Sequence, residues 1–307
     1  VGEKKMTIHV PASSANLGPG FDSIGLAVDR YLTLEVYDAD SWRFTTSSPQ
    51  LEGIPEGKGN MVYQVARAMA ATRKKALPPC HVHMTSEIPL ARGLGSSAAA
   101  IIAAIELADR LLEMDLAKEE KLRFASILEG HPDNVGACLY GALTIGMHTD
   151  GKTRIVTQST PDVDLVLMVP GDELLTSEAR QVLPEALEYR DAVQAGACGN
   201  VLVAALLTGN WPLVGEMMGD DRYHHPYRGS LIPGLLEALQ EVKKYGVYGA
   251  ALSGAGPTVL CLAPSNRGEE IAAAIQADYP QYHVEAAKPA IIGAEVYKAS
   301  EKSVASF

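Results

Sequence analysis

Pro89-Leu90-Ala91-Arg92-Gly93-Leu94-Gly95-Ser96-Ser97-Ala98-Ala99 separates two unlike patterns. Before it, Val82, Met84 and Ile88 mark a strand leading to Pro89. After it, Ile101, Ile105, Ala108 and Leu112 fall at helical spacing, with Ser96 or Ser97 suited to the N-cap. The segment reads as a glycine turn emptying into a helix. Glycines let backbone N–H groups converge, and a helix N-terminus adds partial positive charge, so the turn is a candidate triphosphate cradle. An ordinary Gly-Ser helix start would use the same residues. The lysine of a GxxxxGKS/T loop is missing. Gly93, Gly95 and Ala98 also fit the looser GxGxxA pattern, so an NAD-dependent oxidoreductase is a rival. That rival is weakened because Ile88-Pro89-Leu90-Ala91-Arg92 keeps the glycines from following a strand directly.

Upstream, Met6, Ile8 and Val10, then Leu32, Leu34 and Val36, alternate as two half-buried strands around a loop from Pro11 to Ser23. Asn16 and Asp22 in that loop offer an amide and a carboxylate, the latter suited to a substrate ammonium; an Asx-turn role is the plain alternative. Downstream, Glu129-Gly130-His131-Pro132-Asp133-Asn134 offers Glu129 as a magnesium carboxylate, or simply a polar helix end. A serine hydrolase fits poorly, since Gly95-Ser96-Ser97 is not a GxSxG elbow and His131 near Asp133 makes no triad alone.

Beyond these loops the pattern predicts a helix over 61–71, a strand at Leu143, Ile145 and Met147, and a turn at Thr149-Asp150-Gly151-Lys152. A buried strand is expected at 163–169, with helices at 184–195 and 231–245 and Gly246 as a helix stop. The rest reads as strand, glycine turn at Gly254-Ala255-Gly256-Pro257, strand, helix and strand. A length of 307 residues suits two lobes, since domains run to roughly 100–200 residues. With 37 acidic and 26 basic residues, a net charge of −11, the surface should repel polyanions, so nucleic acid is not an expected partner. Cys80, Cys138, Cys198 and Cys261 are scattered without metal spacing, which fits a reducing cytoplasm better than a disulfide framework. No signal-peptide core and no 18-residue apolar run is expected, hence no membrane association.

Together the three loops, in this order, resemble those of the GHMP small-molecule kinases, and Pro11 to Ala27 resembles their homoserine kinase branch. Leu252-Ser253-Gly254-Ala255-Gly256-Pro257-Thr258 resembles the superfamily's C-terminal glycine motif, so the likeness spans nearly the whole chain. It implies a two-lobed α+β fold, an N-terminal ATP-binding domain over 1–155 and a ferredoxin-like C-terminal domain over 156–307. It implies ATP phosphates on the loop from Pro89 to Ala99, Mg²⁺ between Ser97 and Glu129, and Asn60 near the adenine. His131, Asp133 and Asn134 match the family's HxDN segment beside the acceptor. Thr176 and Arg180, with Arg228 as a second arginine, resemble substrate contacts, and Asn16, Asp22 and Gly254 complete the set. Two planar guanidinium forks suit an amino-acid carboxylate. The implied reaction is phosphorylation of the homoserine hydroxyl in threonine biosynthesis, by a homodimer, with no catalytic base assigned. The alternatives are another small hydroxylated acid such as mevalonate, a sugar, or a non-catalytic relative of the fold.

Overall fold

The computed structural model describes residues 2–299. In chain order the first part holds β1 (Lys4–Ala15), β2 (Ile24–Asp38), β3 (Arg43–Thr46), α1 (Met61–Thr72), β4 (Cys80–Ser86), α2 (Ser96–Leu112), α3 (Lys118–Glu129), α4 (Asp133–Tyr140), β5 (Leu143–His148) and β6 (Thr153–Gln158). The second holds β7 (Val163–Pro170), α5 (Thr176–Gln181), α6 (Tyr189–Thr208), α7 (Trp211–Gly219), α8 (His225–Arg228), α9 (Leu235–Glu241), β8 (Gly249–Leu252), β9 (Val259–Pro264), α10 (Gly268–Asp278), β10 (Tyr282–Ala287) and β11 (Glu295–Lys298).

The first sheet runs β11-β1-β2-β4-β3, with β5 and β6 branching from β2. β2 is long enough to serve two partners: Leu32 to Asp38 pair with β4, whereas Ile24 to Leu26 pair with β5. Its register against β1 shifts between Pro11 and Ala12. Proline cannot donate to a ladder and is tolerated at such an irregularity. The small residues Ala12 to Ala15 then continue the strand, so the functional loop starts at Asn16 and not at Pro11 as the residue pattern suggests.

The second sheet runs β10-β7-β9-β8, all antiparallel. This is the 4-1-3-2 order of a ferredoxin-like lobe in its own strands. β7 joins the two cores because strand side chains alternate in direction. Val163, Leu165, Leu167 and Val169 enter the large cluster shared with the first sheet, α1 and α2. Val166 and Met168 enter the cluster beneath α9 and α10. The fold is α+β and two-lobed, with the lobes sharing buried apolar surface.

α2 and α3 are fastened by an ionic cluster in which the Lys121 Nζ lies 2.8 Å from both Glu106 carboxylate oxygens and 2.7 Å from Asp109. All three side chains are buried, so each charge depends on the others. The cluster joins the C-terminal half of α2 to the first turn of α3, away from Ser97 and Glu129.

Several expectations need correction. The helix expected at 184–195 begins at Tyr189 and runs to Thr208. That at 231–245 is α9 followed by a 3₁₀ turn over Val242–Tyr245, ending at Gly246 with φ +89°. The turn expected at Thr149 to Lys152 is present and closes the β5–β6 hairpin within the first sheet. α6 is, by length and composition, apolar enough to cross a membrane, with 20 residues and mean hydropathy 1.3, contrary to the expectation that no such run exists. It packs on α7, and its Leu202, Ala205 and Leu206 are buried.

Candidate active site

Three chain segments meet above the N-terminus of α2. Ser13 N–H donates to the Leu94 carbonyl at 3.1 Å, Gly254 N–H donates to the Ala15 carbonyl at 3.1 Å, and Ser253 Oγ donates to the Gly93 carbonyl at 2.6 Å. Gly93 and Gly95 adopt φ +76° and +70°, where a side chain is strained. A Cβ on Gly93 would lie 2.3 Å from the Ser253 carbonyl, and one on Gly95 would lie 2.1 Å from Ser13 Oγ. Gly95 itself occupies the N-cap, so neither Ser96 nor Ser97 caps α2 with its side chain. Ser97 Oγ instead donates to Glu129 Oε1 at 2.7 Å.

Glu129 ends α3, and Gly130 takes the left-handed conformation, φ +88°, that turns the chain toward α4. His131 Nδ1 and Asp133 Oδ1 are 2.5 Å apart, and the same oxygen accepts from Asn134 N–H at 2.6 Å. Burial works to depress the His131 pKa, but Asp133, through charge and hydrogen bond, together with Asp22 outweighs it and raises the pKa above the ordinary value. Asn134 Oδ1 accepts from Ser13 Oγ at 2.9 Å, tying α4 to the end of β1.

Across the cavity Arg180, on α5, forks onto Asp22 with Nη2–Oδ1 2.7 Å and Nη1–Oδ2 3.1 Å. Arg228, at the end of α8, is 1% exposed, yet no carboxylate pairs with it among the described residues. It donates to the carbonyls of Ala179 (3.1 Å) and Gly254 (2.8 Å). Burial, and then the nearby charge of Arg180, lowers its pKa to about 10, so it stays cationic at neutral pH. Phe21 lies beneath both guanidiniums, 5.7 Å from Arg180 and 5.5 Å from Arg228. These groups, with Thr176, Glu129, His131 and the loop glycines, line one cavity of about 230 Å³. A second, apolar cavity of similar volume, walled by Ile54, Pro55, Met61, Met84, Ile88 and Leu90, meets it at Ser96 and Ser97.

The chain matches the GHMP kinases N terminal domain over residues 60–142 and the GHMP kinases C terminal domain over 202–281. A homoserine kinase of Halalkalibacterium halodurans is 57% identical over 292 residues, spanning 95% of this chain and 94% of that one. The chain belongs to the GHMP kinases, in their homoserine kinase branch. The crystal structure of a homoserine kinase from Cytophaga hutchinsonii superposes with TM-score 0.83 at 27% identity, covering 96% of this chain and 98% of that one. A mevalonate kinase crystal structure, at 16% identity and TM-score 0.69 over 92% of this chain and 99% of that one, shares the fold alone.

Not every residue expected at the site of this GHMP kinase reaches it. Arg92 turns away from the cavity, donating to the carbonyls of Leu90, Pro170 and Gly171 and pairing with Glu173 at 3.2 Å. Leu94 and Ala99 are buried in the core, and Pro89 lines neither cavity; the cavity sees Ala91, Gly93, Gly95, Ser96, Ser97 and Ala98. Asn60 borders the apolar cavity but caps α1, accepting from Val62 N–H at 2.9 Å and donating to the Pro55 carbonyl at 3.0 Å. Asn16 holds its own loop, accepting from Asp22 N–H and donating to the Gly254 carbonyl, each at 3.0 Å. That carbonyl is therefore shared by Asn16 and Arg228. Phe21 and His224 escaped the sequence reading. The placement of His224 four residues before Arg228 was the available signal, because such pairs share a helix face.

Proposed function

We propose that this chain transfers the γ-phosphoryl group of ATP to the hydroxyl of L-homoserine, giving O-phospho-L-homoserine and ADP. The observation that carries the acceptor is the Asp22–Arg180 ion pair facing the uncompensated cation Arg228. A zwitterionic amino acid can exchange with that pair, its ammonium going to Asp22 and its carboxylate to Arg180 and Arg228, so that every charge keeps a partner. Mevalonate would strand Asp22, and galactose would satisfy none of the three.

The phosphates of ATP fit the N–H groups converging at Gly93 to Ala98, and the base fits the apolar cavity across Ser96 and Ser97. Ser97 Oγ and Glu129 Oε1 form the pair of hard oxygens that Mg²⁺ accepts beside phosphate oxygens. When bound there the ion would supply charge neutralisation at the β- and γ-phosphates. The acceptor oxygen bonds to the γ-phosphorus as the bond to the bridging oxygen breaks, ADP leaves with that oxygen's electron pair, and the hydroxyl proton passes to solvent. Positioning and electrostatics account for most of such a barrier, so the hydrogen-bonded His131–Asp133 pair serves to orient the acceptor and no side chain is assigned as base.

ADP release with ATP and Mg²⁺ over L-homoserine, mevalonate, shikimate and galactose tests the assignment. Turnover is expected on homoserine, with Arg180→Ala raising its KM by about 10- to 100-fold, the range for a hydrogen-bonded charge pair. Preference for mevalonate, or silence on all four, overturns it.

We further propose a cytoplasmic homodimer whose lobes divide between Gln158 and Val163, with β11 returned to the first. The support for pairing is α6, whose outward face presents Val193, Ala197, Val201 and Ala204, all exposed, on a helix with few buried residues. Twofold pairing is the commonest way such a face is covered. Light scattering should give twice the chain mass, and Val201→Lys should shift it toward the single-chain value; a monomeric parent would refute the dimer.

A further inference from the structure

We propose that His224 is a positioning residue for the amino-acid carboxylate, its imidazole locking the Arg228 guanidinium and the Gly18 carbonyl into one fixed arrangement. The ring is completely buried. Its Nε2 lies 3.1 Å from the Gly18 carbonyl oxygen and its Nδ1 lies 3.2 Å from Arg228 Nη1. A carbonyl can only accept and a guanidinium can only donate, so the partners fix the tautomer: Nε2 carries the hydrogen and Nδ1 is bare. Asp221 Oδ2, 3.5 Å from the same Nε2, agrees with a donor there. Protonating Nδ1 would set two donors against each other. Burial, with the neighbouring His225 next, lowers the pKa to about 3, in keeping with an imidazole that stays neutral.

The local chain is built to present this ring. Asp221 accepts the N–H groups of Tyr223, His224 and His225 at 2.8, 3.0 and 2.6 Å, ordering the first turn of α8. His225 points elsewhere, accepting from Leu252 N–H at 3.0 Å. Phe21 stacks on His224 at 5.4 Å between ring centroids, so the residue next to Asp22 is set by the same ring. Gly18, φ +84°, is pinned on its other side, where a Cβ would meet the Met218 carbonyl at 2.5 Å. With Nε on Ala179 and Nη1 shared by Gly254 and His224, Arg228 keeps Nη2 without a partner among the described residues, and Arg228 lines the cavity. One uncharged ring thereby registers the loop carrying Asp22 against the arginine, fixing the spacing between the ammonium and carboxylate sites.

The inference rests on the homoserine reading, and the two fail differently. A parent enzyme that does not turn over homoserine refutes that reading and this inference with it. With an active parent, steady-state kinetics of His224→Leu and His224→Gln decide. Leucine fills the space without hydrogen bonds; glutamine restores one acceptor and one donor. His224→Leu is expected to raise the homoserine KM at least about tenfold while the ATP KM stays within about twofold, and His224→Gln to recover most of the loss. In an Arg228→Met background, His224→Leu should add less than about twofold, because the two residues act as one unit. Equal rises in both KM values, no change, a glutamine variant no better than leucine, or full additivity with Arg228→Met would each overturn the proposal. Should His224→Leu fail to fold, the glutamine variant and its cycle with Arg228→Met still give the answer.

Discussion

Glu129→Gln is expected to lower kcat by about 10²–10³-fold, the loss seen when one preorganised electrostatic group is removed from phosphoryl or acyl transfer. Glutamine keeps the volume and can still accept from Ser97 Oγ, now 2.7 Å from the Glu129 carboxylate. What it lacks is charge, and at this end of α3 charge is what a hard divalent cation recognises. The variant should fold normally, because the ionic cluster that fastens α2 to α3 lies elsewhere, at Lys121. The diagnostic readout is a Mg²⁺ titration of turnover at fixed ATP. The half-saturating Mg²⁺ concentration should rise while the homoserine KM moves little, since Asp22, Arg180 and Arg228 are untouched. A kcat within about threefold of the parent at ordinary Mg²⁺ would remove Glu129 from the metal site.

Gly95→Ala should cost more, because it strikes the loop and its support together. Alanine at φ +70° carries about 1–2 kcal/mol of backbone strain. Its Cβ would fall 2.1 Å from Ser13 Oγ and 3.1 Å from the Ser13 carbonyl. Ser13 cannot retreat freely, because Oγ donates to Asn134 at 2.9 Å and the strand around it is buried. The loop must shift instead, misaligning N–H groups whose use depends on sub-ångström placement. A loss of at least about 10³-fold in kcat/KM is expected, more than one donor's worth because several move together. Ser13→Ala removes the nearest clashing atom, so Gly95→Ala/Ser13→Ala should regain part of the activity of Gly95→Ala. Kinetics of the two single variants and the double close the cycle; no partial recovery would refute the clash as the cause.

The division between what the sequence disclosed and what it hid follows from the range of the interactions involved. Strands β1, β2 and β7, helix α1 and the stop at Gly246 were readable because period and glycine placement are local properties. The boundary of α6 was not: Pro184 and the residues up to Glu188 precede the helix, and the helical pattern extends into an apolar stretch ending at Gly209. Residue types marked Glu129 and Asp22 as candidates and the family resemblance added Ser97 and Arg180, and all four line one cavity. The direction of Arg92 was illegible, since it depends on carbonyls at 170 and 171 that only the fold brings near. Asn60 borders the apolar cavity, but its cap role was equally hidden in the sequence. An amide before a helix serves equally as cap or ligand, and only its neighbours tell which. His224 was overlooked because an imidazole with both nitrogens satisfied has no sequence signature beyond its distance from Arg228.

The pairing of Met6 to His9 with Glu295 to Lys298 also affects how the molecule is made. β1 lines the site through Asn16 just beyond its end, yet its outer edge is closed by a strand that leaves the ribosome only after the strands of the second sheet. While the chain is being synthesised, the first lobe carries an open row of β1 hydrogen-bonding groups, the kind of edge that recruits foreign strands. Completion of the N-terminal lobe is therefore a late event in biogenesis, and the nascent chain is most exposed to mispairing after β2 has formed and before β11 arrives.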